Sequence, residues 1–289
     1  MNRSEFRFFE RLRVRWAEVD MQGIVFNGHY LMYFDTAVAG YWRALAAPYA
    51  ATMEQLHGDL FVRKATLEYH ASARYDELCD VGIRCQRVGN SSILFAAAVF
   101  RGDELLVSGE LVYVFADPAT QTSAPVPQPL RDLFSGFEAG QSMLGVRLGD
   151  WAALGLDART LRSAVFIDEL RSPAEMANDA TDATAVHAVA YNRLGLALGT
   201  GRLLQHRPAI GKIQRLAVMQ GMRGGGIGRA VLHTLLKAAQ QRGDEEVLVH
   251  AQPSAAAFFA RAGFIQQGAV FEVAGLPQVE MIRRPAGAP

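Results

Sequence analysis

Apolar residues follow two different periods along the chain. Over 29–45 they recur as Tyr30, Leu31, Phe34, Val38, Tyr41, Trp42 and Leu45, the three-and-four spacing of an α-helix. The stripe is wide, which predicts a helix wrapped by a sheet rather than laid on a surface. Pro48 ends it. Ahead of this helix, 6–16 is rich in aromatic and aliphatic residues and reads as a strand; behind it, 60–69, 80–88 and 91–101 read as extended runs. Gly89-Asn90 is a hairpin turn pair, and Gly102-Asp103 turns the chain into a further strand over 104–115. One long helix embraced by an antiparallel sheet is the expected first part.

A different order begins near residue 143. Apolar 210–218 predicts a buried strand and 219–222 a short bridge. RGGGIG at 223–228 then opens a helix with an apolar face of Ile227, Val231, Leu232, Leu235, Leu236 and Ala239, closed by Gly243. Between the two parts lies ADPATQTSAPVPQPLRDLF, whose prolines at 118, 125, 127 and 129 deny donors to a sheet and break helices. The expected division is a first domain over 1–116, a linker over 117–141 with a short helix at 130–137, and a second domain over 142–289. A length of 289 residues suits two domains of roughly 140 each.

Composition narrows the function. Lysine plus arginine equals aspartate plus glutamate, 29 against 29, so no basic excess favours general nucleic-acid or anionic-membrane binding. A local basic pocket for a phosphorylated ligand remains compatible with that balance. Cys79 and Cys85 lie on one predicted strand with no histidine or further cysteine to complete a zinc set, so they read as two half-buried thiols and no metal site is expected. MNRSEFRFFERLRVRW carries no apolar signal core, and no stretch is long enough to span a bilayer, so a soluble cytoplasmic protein is expected.

The first candidate chemistry precedes the long helix. Asp20 is followed by Gly23, and the helix starts a few residues on. Amides at a helix start are unpaired and lie at the positive end of the dipole. They can hold the oxyanion that forms when a thioester carbonyl is attacked. A nearby carboxylate can attack that carbonyl or activate water. Taken alone, such an Asp also fits a cap or turn residue.

The whole run adds to this. RVRWAEVDMQGIVFNGHYLMYFDTA resembles the active-site segment of the 4-hydroxybenzoyl-CoA thioesterase family, which has a hotdog fold, and LEYHASARYDELCDVGIRCQRVGNSSILFAAAVF resembles that family's strand, turn and hairpin. The resemblance covers roughly 6–135. It implies that Asp20 is the catalytic carboxylate, that the backbone N–H of Asn27 polarises the thioester carbonyl, and that Gly23 lets the loop pass close to the substrate. Asn27 stands where relatives often carry His or Tyr, a departure of small consequence for a main-chain donor. The resemblance also implies an acyl-CoA substrate lying along a subunit boundary, hence a homodimer or homotetramer through the hotdog domain. His29 reads as a helix-face residue near that contact, Glu18 as a solvated or orienting carboxylate, and Asp35 as a surface residue. Arg74 and Tyr75 read as CoA contacts or as plain exposed turn residues.

The second candidate chemistry is the glycine run. Consecutive glycines at a helix start let backbone approach a ligand, and the free N–H groups bind pyrophosphate. The Walker pattern fails because Ile-Gly-Arg replaces Gly-Lys-(Ser/Thr), and the dinucleotide pattern fails because residue 229 is Arg. Arg223, Gly226 and Gly228 instead fit (Gln/Arg)-x-x-Gly-x-(Gly/Ala), the acetyl-CoA loop of the GNAT superfamily. VLVHAQPSAAAFFARAGF at 247–264 resembles that superfamily's strand and helix beside CoA, and VFIDELRSPAEMANDATDATAVHAVAY and FEVAGLPQVEM resemble its ElaA-like branch.

The resemblance covers roughly 143–285. It implies an α/β N-acetyltransferase domain in which Leu216, Ala217 and Val218 pair with pantetheine and Arg223, Gly224, Gly225, Gly226, Ile227 and Gly228 hold pyrophosphate. Val218 N–H then lies near the thioester oxygen. The superfamily tyrosine that protonates the leaving thiolate falls at Phe259, and the branch's Gly-Ile-Pro-His reads Gly-Leu-Pro-Gln at 275–278. Candidate bases are Glu272, His187 and Asp179, though His187, flanked by strand-forming residues, reads first as a structural histidine.

The combined expectation is an α+β chain of two enzymes, one hydrolysing acyl-CoA and the other passing acetyl from acetyl-CoA to an unidentified amine. Both CoA esters are substrates, no cofactor is tightly bound, and neither nucleic acid nor membrane is a partner. An alternative keeps the thioesterase and makes the C-terminal half a non-catalytic CoA-binding regulatory module, which Phe259 favours. A scaffold with both sites decayed is disfavoured by Asp20 and by the glycine loop.

Overall fold

The wide apolar stripe becomes helix α1 (His29–Ala44), buried through Tyr30, Tyr33, Phe34, Ala37, Tyr41 and Trp42. Leu31, expected in that stripe, is exposed, and Tyr33 and Ala37 take the inner face instead. The structure is a computed structural model that describes residues 1–273 and 275–284. It divides into two units, Met1–Met143 and Leu144–Pro289.

In the first unit, five antiparallel strands follow the order β1-β3-β4-β5-β2. They are β1 (Phe8–Arg13), β2 (Asp59–Tyr69), β3 (Leu78–Val88), β4 (Ser92–Arg101) and β5 (Glu104–Ala116). This is the helix-in-sheet arrangement of the hotdog fold. α1 approaches the sheet closely at Gly109, where a side-chain carbon would lie 2.7 Å from the Phe34 ring and 2.5 Å from the Thr66 carbonyl. β4 is buried at Ile93 and, after half-buried Leu94, without a break from Phe95 to Phe100. Phe95 meets Tyr41 of α1, while Ala96, Ala98 and Phe100 pack with Phe6 and Phe9. A strand covered on both faces loses the alternation of a half-exposed one. Cys79 is fully buried and Cys85 partly so; burial pushes their thiols up to about 11 and about 12.

Two features differ from the sequence reading. Pro48 does more than end α1: it caps a second helix, α2 (Tyr49–Leu56). Residues 117–141, expected as a linker, fold with the first unit. There α3 (Gln128–Glu138) buries Leu130, Leu133 and Phe134. The Phe134 ring sits 5.5 Å from Phe95 and 5.7 Å from Trp42. Glu138 accepts from Tyr41 Oη (2.6 Å) and from the Cys85 amide (2.9 Å). The prolines mark an ordered crossing, and apolar spacing at 130, 133, 134 and 137 was the signal that the segment docks.

The second unit is a seven-stranded sheet of order β11-β12-β10-β9-β8-β7-β6. Its elements are β6 (Leu144–Gly149), α4 (Trp151–Arg162) with a π-helical extension Ser163–Glu169, β7 (Val186–Asn192), β8 (Ala197–Arg207), β9 (Ile210–Val218), α5 (Ile227–Arg242), β10 (Glu246–Ala251), α6 (Ala256–Arg261), β11 (Ile265–Val273) and β12 (Leu276–Arg283). β9 and β10 pair in parallel, bridged by α5, and the other neighbours are antiparallel. β9 matches its expected limits, and α5 ends as expected on Gly243, whose φ is +89°. Ala274 of FEVAGLPQVEM and positions 285–289 lie outside the described residues. No described helix is long and apolar enough to cross a membrane.

Docking of α3 is testable. Phe134→Ala should destabilise the first unit by about 3–5 kcal/mol in urea unfolding; a change near zero would mean the segment is a tether.

Two candidate active sites

The loop before α1 folds into a small hairpin. Val19 bridges Val25, the Asp20 amide donates to the Ile24 carbonyl (2.9 Å), and the Phe26 amide donates to the Glu18 carbonyl (2.9 Å). Asp20 begins the tight turn: Gly23 N–H donates to its carbonyl (3.0 Å) and Gln22 N–H to its Oδ1 (2.8 Å). Its Oδ2 accepts no hydrogen bond among the described residues. The turn reading of Asp20 therefore holds alongside any chemical one. Gly23 has φ +72° and open space around it, so the backbone itself calls for glycine. The ladder leaves Asp20 two residues beyond Glu18 on one arm and Asn27 one residue beyond Phe26 on the other. The amides of Asn27 and Gly28 donate no hydrogen bond among the described residues, and no side chain caps α1.

Glu18 holds this loop to the helix. It is buried, not solvated, at 4% exposure. Its carboxylate accepts from Tyr33 Oη (2.7 Å), the Arg15 amide (2.8 Å) and Arg15 Nε (2.6 Å). Burial alone would raise this carboxyl; the Arg15 amide, the Tyr33 hydroxyl and the Arg15 guanidinium outweigh it and hold it below the usual range. On the far side, Ile24 bridges Arg74, and Val25 N–H donates to Ala73 O (2.9 Å). Arg74 and Tyr75 are exposed beside the loop, and Tyr75 meets exposed Trp16 edge to face at 5.5 Å. His29 opens α1 with Nδ1 3.3 Å from Met32 Sδ, and Asp35 is exposed.

In the second unit the site is an opening in the sheet. β9 and β10 pair from Ile210↔Glu246 only as far as Ile213↔Val249. β9 then bulges, with Arg215 at φ +56°, and runs on to Val218 without β10. Met219 N–H bonds back to Leu198 of the β8 side (3.0 Å), so by alternation the Val218 amide faces the side that β10 has left. The glycine loop follows. Gly224 and Gly226 have φ +85° and +86°, and Gly226 sits at the N-cap of α5 with no side chain capping it. The amides of residues 224–229 donate no hydrogen bond among the described residues. A side-chain carbon at Gly228 would lie 3.4 Å from Val218 and 3.6 Å from Phe258, which fixes the helix start against β9.

Arg223 departs from a free phosphate-binding side chain. Its guanidinium forms a bidentate pair with Glu169 (2.7 and 2.6 Å), and its Nε bonds the Val218 carbonyl (3.1 Å). Phe259 is buried at 7% exposure between Phe258 and Phe264 and has no proton to give. Of the candidate bases, His187 is fully buried: Arg162 donates to its Nδ1 (3.2 Å), and its Nε2 contacts Asp182 O (2.9 Å). Burial lowers its pKa, and with both ring nitrogens engaged it has no free lone pair to take a proton from a substrate. Asp179 is clamped by Arg202 (2.7 Å) and Arg215 (2.7 Å), and the Arg202 hydrogen bond is foremost in holding its carboxyl far below the usual range. A carboxylate so held is a poor base. Glu272 is exposed on β11. The reading from sequence missed Tyr33, whose signal was its helical spacing from Tyr30 and Ala37. It also missed Arg162, Arg202 and Asp182, which no local pattern announces.

Comparison with known proteins fits both halves. The Thioesterase superfamily profile matches residues 22–108, and the Acetyltransferase (GNAT) domain profile matches residues 151–284. The uncharacterized N-acetyltransferase YjcF of Bacillus subtilis is 30% identical over 128 residues, which is 44% of this chain and 90% of that protein. The acyl-CoA thioester hydrolase YbgC of Escherichia coli O6:H1 is 24% identical over 131 residues, 45% of this chain and 96% of that one. The crystal structure of the PA5185 protein of Pseudomonas aeruginosa covers 49% of this chain and 96% of its own, at 28% identity and TM-score 0.42. The chain belongs to the GNAT acetyltransferases through its second unit, and its first unit is similar to the thioesterase superfamily over residues 22–108.

The Glu18 contacts predict a pH dependence. A carboxyl whose folded pKa lies below its unfolded value of 4.5 adds stability above that pH and loses it as pH falls through the folded value. Glu18→Gln should cost about 1.5–3 kcal/mol at neutral pH. The gap to wild type should close on acidification below 4.5 in urea melts at stepped pH. A gap constant with pH would remove the charge from the account.

Proposed function

We propose that the first unit hydrolyses acyl-CoA thioesters and the second transfers acetyl from acetyl-CoA to an amine. The observation that carries the first is a carboxylate with a free oxygen on the same short hairpin as the unpaired amides that open α1. In this reading the thioester carbonyl takes the Asn27 N–H, and Asp20 attacks the carbonyl carbon or draws a proton from the attacking water. Glu18, tied to Tyr33, keeps the hairpin on the helix while this happens. Arg74 and Tyr75 flank the loop where the CoA moiety would pass.

The observation that carries the second is a strand that leaves its neighbour and runs into a helix start with a row of unpaired amides. Pantetheine adds along 216–218 as a strand would, and the amides of the glycine loop take the pyrophosphate. Arg223 must then exchange Glu169 for phosphate or hold the loop while the amides bind. The transfer itself rests on proximity and carbonyl polarisation.

The free outer edge of β2 supports a homodimer, since β2 ends the strand order and exposes Phe61 and Val62. A reducing compartment such as the cytoplasm fits the two unpaired thiols. Phe259 favours a second reading, in which the GNAT unit binds acetyl-CoA as a regulatory signal.

Asp20→Asn should lower thiol release by about 10²- to 10⁴-fold across a series of acyl-CoA lengths, and undiminished hydrolysis would remove Asp20 from the mechanism. Gly226→Glu adds about 1–2 kcal/mol of left-handed strain and a negative charge at the pyrophosphate seat. It should abolish acetyl-CoA binding in calorimetry, and retained binding would overturn the loop assignment. Binding by the wild type without acetylation of any amine in a panel would leave the regulatory reading.

A further inference from the structure

The sheet of the second unit carries a cluster of chemically matched side chains at the foot of the β9/β10 opening. His250 is the first residue of β10 past the last rung, Ile213↔Val249. Its Nε2 lies 3.0 Å from Glu280 Oε2 on β12, its partner across the strands. A carboxylate only accepts, so Nε2 carries the hydrogen and Nδ1 keeps its lone pair. That lone pair meets the Lys212 ammonium of β9, with Nζ 3.3 Å from Nδ1. Lys212 stands opposite Leu248 in register, so its side chain reaches two residues forward to bring Nζ to the foot of the opening. The Phe271 ring covers the imidazole edge to face at 5.0 Å.

Resting on the acetyl-CoA reading of this opening, we propose that Lys212 is an acetylation site of this chain, its ε-amine the acceptor and the Glu280–His250 pair the base that frees it. An amine needs a lone pair to attack a thioester, and the imidazole already faces the proton to be lost. Lys212 gives that proton to His250 Nδ1, and Nζ then attacks the acetyl carbonyl carbon. The C–N bond forms and the C–S bond breaks. The proton held by His250 passes to the departing CoA thiolate, and the second proton that the nitrogen sheds goes to water. Partial burial acts in the same direction, lowering the Lys212 pKa against the pull of Glu280. Lysine is also scarce: Lys64 and Lys237 are the two others in the chain, so chance labelling has few places to go.

The test incubates the full chain with acetyl-CoA, maps acetylated lysines by peptide mass spectrometry and measures acetyl-CoA binding in parallel by calorimetry. One acetyl group on Lys212, with Lys64 and Lys237 unmodified, is the expected result. Glu280→Gln and His250→Phe, each checked for retained acetyl-CoA binding, should slow labelling at least about tenfold, and Lys212→Arg should abolish it. A protein that binds acetyl-CoA but labels Lys212 no faster than the other two lysines overturns the proposal alone. A protein that does not bind acetyl-CoA overturns the reading of the opening and the proposal with it.

Discussion

A peptide N–H without an acceptor is costly unless water or a ligand supplies one. Both candidate sites are built from that constraint. Three helix starts in this chain make the point by contrast. α4 opens on Asp150, whose carboxylate takes the Ala153 amide, and that start is closed to any ligand. α1 opens on Gly28 and α5 on Gly226, and neither can cap. Glycine offers no side chain to take an amide, and at Gly226, with φ +86°, any other residue would add left-handed strain. Glycine leaves the donors facing outward, at the positive end of the dipole, where a developing oxyanion or a pyrophosphate can take them.

An open helix start has to be held in place by something else. In the first unit Glu18 serves, tying the hairpin that bears Asp20 to Tyr33 of α1. In the second unit the holding structure is a network of charges. Arg162 and Arg202 are buried and share Asp182, while Asp179 joins Arg202 to Arg215. Arg215 is the bulge residue at which β9 leaves β10. Buried ion pairs contribute little net stability because desolvation offsets attraction; what they do impose is geometry. The network fixes where the sheet opens, and this is why His187 and Asp179 are unavailable as bases.

Fold was more legible in the sequence than site. The period of 29–45 and the turn pairs at 89–90 and 102–103 are local signals, and the elements followed them. The glycine loop was legible for the same reason, since φ and helix polarity belong to a few adjacent residues. The role of 117–141 was not legible, because whether a proline-rich stretch tethers or docks is decided by the pocket that Tyr41, Trp42 and Phe95 make for Phe134. Glu18 shows the same limit: its burial depends on Tyr33, fifteen residues on. Lys212, His250 and Glu280 come from three strands, and only sheet order brings them together.

The phenyl ring at 259 is best weighed by magnitude. A positioned general acid is worth about 10²- to 10⁴-fold, or about 3–5 kcal/mol at 1.36 kcal/mol per decade. Holding two reactants together contributes about 7–11 kcal/mol, and an oriented amide on the carbonyl oxygen adds about 3–4 kcal/mol. The leaving group also lightens the loss. An alkyl thiol ionises near 8.5, so its thiolate departs near neutral pH without the help an alkoxide needs. Subtracting the acid therefore leaves the larger share of the barrier reduction in place. On these magnitudes a phenyl ring at 259 would slow a transferase rather than abolish its activity, and least so where the acceptor amine is already deprotonated when the thioester arrives.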